Sequence, residues 1–394
     1  MISVEEALAR VLALAPPLAA ETVPLRRAAG RVLAEDAVAR LTQPPFAASA
    51  MDGYAIREDD HVPGARLAII GEAAAGHPFA GRTGAGQAVR IFTGAPVPEG
   101  ADRVVLQEDV TREGGTIRLT GQPEAGTHIR PAGQDFRAGD RLCAPRRLRA
   151  FDLSLLASMN LAEVGVFRRP VVAFIATGDE LVQPGETPGP GQIVASNGVG
   201  LAAMAECAGA EARLLPIARD NLPALRAVFD LARDADLIVT VGGASVGDHD
   251  LVGPVAAELG LERAFWKVAM RPGKPLMAGR LGRSAMLGLP GNPVSAMVCA
   301  KLFMEPLLWA MQGLPAAHDL QRGQAGAGLP ANGPRAHYMR ARVTTGDGDL
   351  PRIRPFDRQD SALLSELSEA DALLVRPPHD PARNAGDPVA WLPL

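Results

Sequence analysis

Apolar and polar positions change their period several times along this chain, and each change predicts a separate structural unit. Residues 4–14 repeat apolar side chains at helical spacing, and residues 25–34 predict a second, shorter helix. Residues 47–138 carry short apolar runs between Gly- and Pro-rich turns, a pattern typical of an all-β unit. Helical spacing returns at 151–159. The β unit is therefore predicted to be an insertion in a discontinuous N-terminal domain.

From residue 170 to 311, apolar runs of strand length alternate with helical segments. Strands are predicted at 171–176, 212–218, 237–241, 264–269 and 285–289, with helices at 198–208, 222–233 and 251–259 and a long helix after Pro293. This alternation predicts a doubly wound α/β sheet with right-handed crossovers. Ligands of such sheets bind in the crevice at the carboxyl ends of the strands.

The patterns together predict a multidomain protein of α/β and β units. The α/β domain occupies 169–312, and 47–138 is an inserted, mainly-β domain. Residues 1–46 plus 139–168 form the discontinuous N-terminal domain. Short β runs at 338–343 and 372–375 predict a small, barrel-like C-terminal β domain over 320–394.

Composition narrows the classes of function. A content of 47% hydrophobic and 21% charged residues is ordinary for a soluble globular protein, and the net charge of −4 gives no support for nucleic-acid or membrane-surface binding. No apolar run reaches the roughly 18 residues of a membrane span, and the acidic N-terminal segment does not resemble a signal peptide. Cys143, Cys207 and Cys299 lack metal-ligand spacing, so a reducing cytoplasm is expected.

The stretch 236–250, DLIVTVGGASVGDHD, joins an apolar, β-branched strand to a glycine turn and an acidic cluster. Glycines let backbone approach a ligand closely, and turn N–H groups can form an anion-binding nest. Carboxylates beyond such a nest often hold a divalent cation that bridges phosphate oxygens. A tight surface turn with solvated acids is the alternative, and this stretch alone does not decide between them.

Other strand ends carry similar chemistry. Acids, glycines and cations follow the predicted strands at Asp179–Glu180, Asp220–Asn221, Arg271–Lys274 and Pro290–Asn292. Each has a structural explanation: Asp220 or Asn292 as a helix cap, Glu180 as a solvated loop acid, and the Lys274 segment as an exposed basic turn. Their convergence on one crevice instead suits a substrate with phosphates, a bridging metal and an oxyanion.

Lys274 stands out because this chain has only three lysines, Lys267, Lys274 and Lys301. Flanked by glycine and proline, Lys274 can hold a compact ammonium against a phosphate or another tetrahedral oxyanion. Arg271, three residues earlier, can make bidentate oxyanion contacts.

Polar turns also cluster in the N-terminal half. Residues 49–55 read SAMDGYA, residues 93–96 read TGAP, and Arg130 and Asp135 lie in HIRPAGQD. By composition alone these segments are turns, and their spacing indicates no mechanism.

Taken in order, these motifs resemble the MoeA family of molybdopterin molybdenumtransferases, which includes the gephyrin E domain. The matching segments are SAMDGYA (49–55), TGAP (93–96), TGDEL (177–181), SNG (196–198), GGASVGD (242–248), PGKP (272–275) and LPGNP (289–293). TGDEL and GGASVGD alone are less specific, since related molybdopterin-binding domains share them. SAMDGYA discriminates this family, and the resemblance covers essentially the whole chain.

The resemblance implies a homodimer that inserts molybdate into adenylylated molybdopterin with Mg²⁺, releasing AMP, at a site shared between the two chains. It implies catalytic roles for Asp52, Thr93, Glu180, Asp220, Asp248 and Lys274, with Glu180, Asp220 and Asp248 as metal ligands. Substrate contacts are expected from Ser49, Arg130, Asp135, Ser196, Asn197, Gly242, Gly243, Ser245, Arg271, Pro290, Gly291 and Asn292. The dithiolene sulfurs that receive molybdenum belong to the substrate, so no protein cysteine is required. Partners that take over the product are implied as well.

Two departures from the family pattern bear on the site. Arg271 stands where the family usually has lysine, and Asn221 where it often has a second acid, so metal ligation at that motif is expected from Asp220 alone.

Two alternative functions remain: a molybdopterin adenylyltransferase, and a non-catalytic molybdopterin-binding scaffold. The first is typically a lone α/β domain, which disfavours it for a chain with 168 residues before that domain. The second is disfavoured because the acids, Thr93 and Lys274 are all present.

Overall fold

The computed structural model describes residues 1–121, 125–242, 251–345, 348 and 350–394. At the N-terminal end, a small sheet joins strands from both sides of the predicted insertion. Its order is Ala20–Pro24, Glu163–Phe167, Val32–Leu33, Arg146–Arg147. Ala37–Val38 likewise pairs with Arg141–Leu142, and the helix Ala150–Ser158 packs beside them. The exact domain bounds stay predictions.

The helix predicted at 25–34 is wrong. Only Leu25–Arg27 makes a 3₁₀ turn, and Val32–Leu33 is a buried strand. Leu33 lies opposite both Arg146 and Val166. The helical spacing of this segment did not decide its structure, because two strands distant in sequence pair with its backbone and Leu33 is fully buried.

Residues 47–138 fold around a β-sheet, as predicted. Its strands are β1 (Gly53–Ile56), β2 (Arg66–Ala73), β3 (Gln87–Ile91), β4 (Arg103–Leu106), β5 (Val110–Glu113) and β6 (Thr116–Leu119), in the order β4-β1-β3-β2-β6-β5. A separate short pair, Ala48–Ser49 with Ile129–Arg130, closes one end. Val104, Val89 and Ile91 are fully buried in the core of this unit.

The α/β unit has a mixed sheet with strands β7 (Val171–Ala176), β8 (Glu211–Leu214), β9 (Leu237–Val241), β10 (Leu261–Trp266), β11 (Met277–Leu281) and β12 (Ser284–Leu289). Their order is β8-β7-β9-β12-β11-β10. Strands β8, β7, β9 and β12 run parallel. The sequence pattern missed β11, which is antiparallel to both β12 and β10. Because of this double reversal, β10 ends at the same edge of the sheet as the parallel strands.

Helices cover both faces of this sheet. Asn197–Cys207 and the long helix from Pro293 pack on one face, and Leu222–Leu231 and Val252–Glu258 on the other. Strand β9 is therefore buried throughout: Val239 faces one core and Ile238 the other. The N-terminal helix Val4–Leu12 joins the first of these cores, although it belongs to the predicted N-terminal domain.

The helix Pro293–Met311 contains a π-helical segment, Ala300–Met304, just before Pro306. Pro306 has no N–H to donate to the preceding turn, which explains the local widening. By length and composition this helix is apolar enough to cross a membrane, yet 72% of its most apolar window is buried inside the fold. Its hydropathy therefore fits a core helix.

The C-terminal strands close into a small barrel, which confirms the predicted fold class. The closed circuit is Ala336–Thr344, Arg352–Pro355, Gln321–Ala325, Pro388–Pro393 and Ala372–Arg376, whose last strand pairs back with the first. A short helix, Leu364–Ser368, precedes the strand Ala372–Arg376. The short strand Met270–Arg271 pairs with Ala336–His337, so the chain segment after β10 is hydrogen-bonded to the barrel.

Candidate active site

A crevice of about 760 Å³ opens at the carboxyl edge of the α/β sheet. It is lined by the residues that follow β7, β9 and β12, together with Asp220 and the start of the helix Asn197–Cys207. The structure therefore brings together much of the predicted set: Glu180, Asp220, Ser196, Asn197, Gly242, Pro290, Gly291 and Asn292. Gly243, Ser245 and Asp248 lie outside the described residues.

Glycine is required at two points of this crevice. Gly242 has φ +90°, and a Cβ there would lie 3.1 Å from the carbonyl oxygen of Thr177. Gly178 has φ +150°, and a Cβ there would lie 2.4 Å from a carboxylate oxygen of Glu180. The absent side chains let the ends of β7 and β9 come together and leave room for the Glu180 carboxylate.

The turn that carries Asp220 is held by the acid before Glu180. The Asp179 carbonyl accepts a hydrogen bond from Arg219 Nη1 at 2.8 Å, and Asp179 Oδ1 accepts one from the Asp220 N–H at 3.2 Å. Asn221, not Asp220, caps the next helix, since its Oδ1 accepts from the Ala224 N–H at 2.9 Å. Asp220 is therefore not the cap of this helix. Asn221, which departs from the family pattern, has a structural role as that cap.

The turn Pro290–Asn292 is fixed from two sides. Asn197 Nδ2 donates to the Gly291 carbonyl at 2.8 Å. Asn292 begins the long helix without a side-chain cap bond and donates instead to Ser361 Oγ at 3.1 Å. The carbonyl oxygen of Ser361 accepts from the Val294 N–H at 3.0 Å, and its neighbour Ala362 lines the crevice. The barrel therefore contributes to this site, which no local sequence signal indicated.

Neither Lys274 nor Arg271 lines the crevice, whereas Pro275, the residue after Lys274, does. Lys274 is exposed, and its carbonyl accepts from the Val268 N–H at 3.1 Å. Gly273 has φ +101° and sits directly on the buried Cys299, because a Cβ there would lie 2.4 Å from Cys299 Sγ. Close packing on the long helix thus holds the loop that presents Lys274.

His337 lies opposite Arg271 in the strand pairing that joins this loop to the barrel. Burial, followed by the positive charges of Arg271 and other arginines nearby, lowers the pKa of His337 to about 4. The imidazole is therefore neutral near pH 7 and adds no charge beside Arg271.

A second group of predicted residues lies on the inserted β unit. Gly53 pairs with Ile91, so the residue before β1 meets the residues after β3. Asp52 Oδ1 accepts hydrogen bonds of 2.7 Å from both the N–H and the Oγ1 of Thr93. The backbone bond from Thr93 lowers the pKa of Asp52 most, and its side-chain bond lowers it further. Asp52 is thus an exposed, ionised carboxylate held in a fixed place.

Ser49 is buried, and its Oγ donates to the Met51 carbonyl at 2.6 Å, so its hydroxyl is engaged in the turn. Arg130 and Asp135 are exposed and line a separate cavity of about 500 Å³ that reaches Gly94, next to Thr93. The predicted residues of the N-terminal half therefore lie apart from the α/β crevice, with Arg130 and Asp135 in the second cavity and the Asp52–Thr93 pair adjoining it through Gly94.

Glu180 and Asp220 offer oxygen ligands of the kind that Mg²⁺ prefers, on neighbouring turns of one crevice. Across the described residues, no group of three or more His, Cys, Asp or Glu side chains is arranged to hold a metal ion. Mg²⁺ commonly uses one or two carboxylates and takes its other ligands from water and substrate phosphates. The pair fits that mode of binding.

An α/β sheet with its crevice at the carboxyl edge, flanked by an inserted β unit and a β-barrel, defines a class of multidomain molybdopterin-binding proteins. Three family models match successive parts of the chain: the MoeA N-terminal region (domain I and II) at 2–160, a probable molybdopterin binding domain at 173–310, and the MoeA C-terminal region (domain IV) at 322–394.

Curated relatives include a molybdopterin molybdenumtransferase of Haemophilus influenzae, 38% identical over 79% of this chain and 78% of that protein. Another, from Nostoc sp., is 36% identical over 95% of this chain and 88% of that one. The structure of a molybdopterin biosynthesis MoeA protein from Pyrococcus horikoshii superposes with a TM-score of 0.83 at 30% identity, covering 100% of this chain and 99% of that one.

The chain therefore belongs to the MoeA family of molybdopterin molybdenumtransferases, which confirms the resemblance found in its motifs. Membership makes it a transferase of molybdenum cofactor biosynthesis.

Proposed function

We propose that this chain transfers molybdenum from molybdate to adenylylated molybdopterin, giving molybdenum-bound molybdopterin and AMP in a Mg²⁺-dependent reaction. The crevice that joins Glu180, Asp220 and the Gly242 turn at one sheet edge carries the proposal. Its volume suits a ligand of pterin-nucleotide size, and its acids and open backbone turns suit a pyrophosphate with a bound cation.

Each group of residues has a proposed task. Ser196 and Asn197 line the part of the crevice that receives the pterin, and Glu180 and Asp220 would hold Mg²⁺, together with Asp248. When bound, Mg²⁺ would supply Lewis-acid stabilisation of charge on the phosphoanhydride. Lys274 and Arg271, presented beside the crevice, neutralise the charge of phosphate and molybdate oxygens.

We further propose that the site is completed by a second copy of the chain. Asp52, Thr93, Arg130 and Asp135 are exposed, and none of them lines the crevice of Glu180 and Asp220. Arg130 and Asp135 line the second cavity, which reaches Gly94, the residue after Thr93. A symmetric dimer can set the β-unit cavity of one protomer against the α/β crevice of its partner, which provides two complete sites.

The activity is tested by molybdate-dependent release of AMP from adenylylated molybdopterin, with and without EDTA. Glu180→Gln should lower the turnover by at least about a hundredfold, because it removes a carboxylate from the proposed metal and phosphate corner. Glu206→Gln, an exposed acid on the helix Asn197–Cys207 away from the crevice, is the control and should retain full turnover.

Rapid formation of adenylylated molybdopterin from ATP, without any need for molybdate, would instead assign the adenylyltransferase reaction. Binding without turnover under all conditions would leave the scaffold role.

The shared site is tested by mixing two variants whose turnover is strongly reduced but measurable, Asp52→Asn and Glu180→Gln. Random exchange makes about half of the dimers mixed, and each mixed dimer has one intact shared site, so about a quarter of wild-type activity should return. No recovery after confirmed subunit exchange would place each site within a single chain.

The cytoplasm is the proposed location. The described thiols Cys143, Cys207 and Cys299 are free, which is in keeping with a reducing compartment. Transfer of the product to the enzymes that use it is part of the same proposal.

A further inference from the structure

Arg90 is an arginine that neither motif matching nor the two cavities identify. It lies on β3 directly opposite Tyr54 of β1. Its guanidinium carbon is 5.1 Å from the centre of the Tyr54 ring and 4.7 Å from the centre of the Phe92 ring. Contact with two aromatic rings restricts the orientation of the guanidinium plane and contributes cation–π attraction.

The hydrogen bonds of Arg90 converge on the backbone around Asp52. Its Nη1 donates to the Gly53 carbonyl at 3.1 Å, and its Nη2 donates to Gln107 Oε1 at 2.6 Å. The N–H of that same Gln107 donates to the Asp52 carbonyl at 3.2 Å. Through its planar fork, Arg90 therefore holds the Gly53 carbonyl directly and the Asp52 carbonyl by way of Gln107, which are the carbonyls of two successive peptide units.

We propose that Arg90 is a positioning residue that fixes the Asp52 carboxylate and Thr93 for the transfer reaction. The proposal rests on the function proposed above, in which Asp52 takes part. Asp52 is exposed and has no packed surroundings of its own. Its place is set by Thr93 on one side and by the Arg90–Gln107 link on the other, so loss of the link frees the turn.

The positive charge of Arg90 favours the same arrangement of Asp52 and Thr93 as its hydrogen bonds do. The pKa of Asp52 is lowered mainly by its two bonds from Thr93, and the positive charge of Arg90 lowers it further. Arg90 therefore favours the ionised carboxylate that accepts both Thr93 bonds.

Lysine cannot replace arginine in this arrangement. An ammonium keeps the charge, but it lacks the planar fork that contacts both rings while it donates to both the Gly53 carbonyl and Gln107 Oε1. The pair Arg90→Lys and Arg90→Met thus separates the two contributions, since lysine keeps only the charge and methionine keeps only the apolar stem.

The test measures kcat and KM for molybdate-dependent AMP release, together with hydrogen exchange at the Thr93 amide. Arg90→Met should lower kcat by about ten- to a hundredfold, the usual effect of a small misplacement, and should speed exchange at Thr93. Arg90→Lys should show most of the same loss. Arg66→Met is the matched control, because Arg66 lies in the same sheet and forms only a surface pair with Glu113 at 3.2 Å; it should leave kcat and Thr93 exchange unchanged.

A double-mutant cycle shows whether Arg90 acts through Asp52. In an Asp52→Asn background, Arg90→Met should cause little further loss of kcat. Wild-type kcat and unchanged Thr93 exchange in Arg90→Met would overturn the inference, as would an undiminished loss in the Asp52→Asn background. If the wild-type chain releases no AMP, the proposed function fails, whereas the Thr93 exchange still decides the positioning role.

Discussion

Gly53 offers a sharp test of how the inserted β unit positions Asp52. A Cβ at this position would lie 1.9 Å from the carbonyl oxygen of Val105 on the neighbouring strand β4. The φ of Gly53 is not in the left-handed region, so backbone conformation is not the obstacle. Gly53→Ala therefore tests close approach alone.

The cost follows from the geometry. A carbon–oxygen contact needs about 3.3 Å, so β1 and β4 must separate by about 1.4 Å near Val105. Hydrogen bonds near 2.9 Å would then stretch beyond 4 Å and cease to count as bonds. Loss of about two buried ladder bonds, with their groups left unpaired, costs about 2–4 kcal/mol of unfolding free energy. For a unit of domain size this lowers the melting temperature by about 10–20 °C.

The assay is calorimetric melting combined with hydrogen exchange on peptides that cover β1 and β4. Gly115→Ala is the matched control, because Gly115 lies in the same sheet between β5 and β6 and a Cβ there meets nothing within 4 Å. This control should melt at the wild-type temperature or slightly above it. Since Asp52 precedes Gly53, molybdate-dependent turnover should also fall in Gly53→Ala only. If the two alanine variants melt alike and turn over alike, the reasoning from close approach is refuted.

Two further predictions concern the α/β unit and the barrel. Asn221→Ala should lower the unfolding free energy by about 1 kcal/mol, measured as unfolding at a lower denaturant concentration, because Asn221 caps a helix. Its turnover should stay near wild type, because Asn221 does not line the crevice. A large loss of turnover would instead assign Asn221 to the site. His337 has a pKa of about 4 in the folded chain, below its ordinary value of 6.5, so the unfolded chain binds the proton first as the pH falls. The stability that neutral His337 contributes is therefore complete above pH 6.5 and is lost between there and about pH 4. His337→Gln should flatten this fall in melting temperature, and the same substitution at the exposed His77 should not; equal pH profiles for His337→Gln and wild type would contradict the assignment.

The local apolar pattern predicted a strand correctly where the burial of that segment alone decides its structure. The runs 171–176 and 237–241 were predicted with the bounds that the structure shows, since a strand buried on both faces reads as a nearly continuous apolar run. The chemistry at the strand ends followed, because parallel strands deliver their carboxyl ends to one edge. Glu180, Asp220, Gly242 and Gly291 accordingly line a single crevice.

Pairing with other strands decided the rest. Strand β11 escaped notice because Met277–Leu281 is defined by its antiparallel neighbours β10 and β12. The predicted strand 264–269 ends at Trp266, where Lys267 takes φ +73° and Met270–Arg271 then joins the barrel. No local signal reports such partners, because a strand's free energy comes largely from cross-strand contacts.

The sequence by itself determined the family, the α/β alternation and the residue types that the chemistry needs. Only the tertiary structure joined Asp52 to Thr93 and placed Arg130 and Asp135 in a cavity distinct from the crevice of Glu180 and Asp220. It also brought Ser361 and Ala362 of the barrel to the Pro290–Asn292 turn. Motifs record which side chains a site requires, but their distances depend on strand register and on packing between units, which are properties of the whole chain.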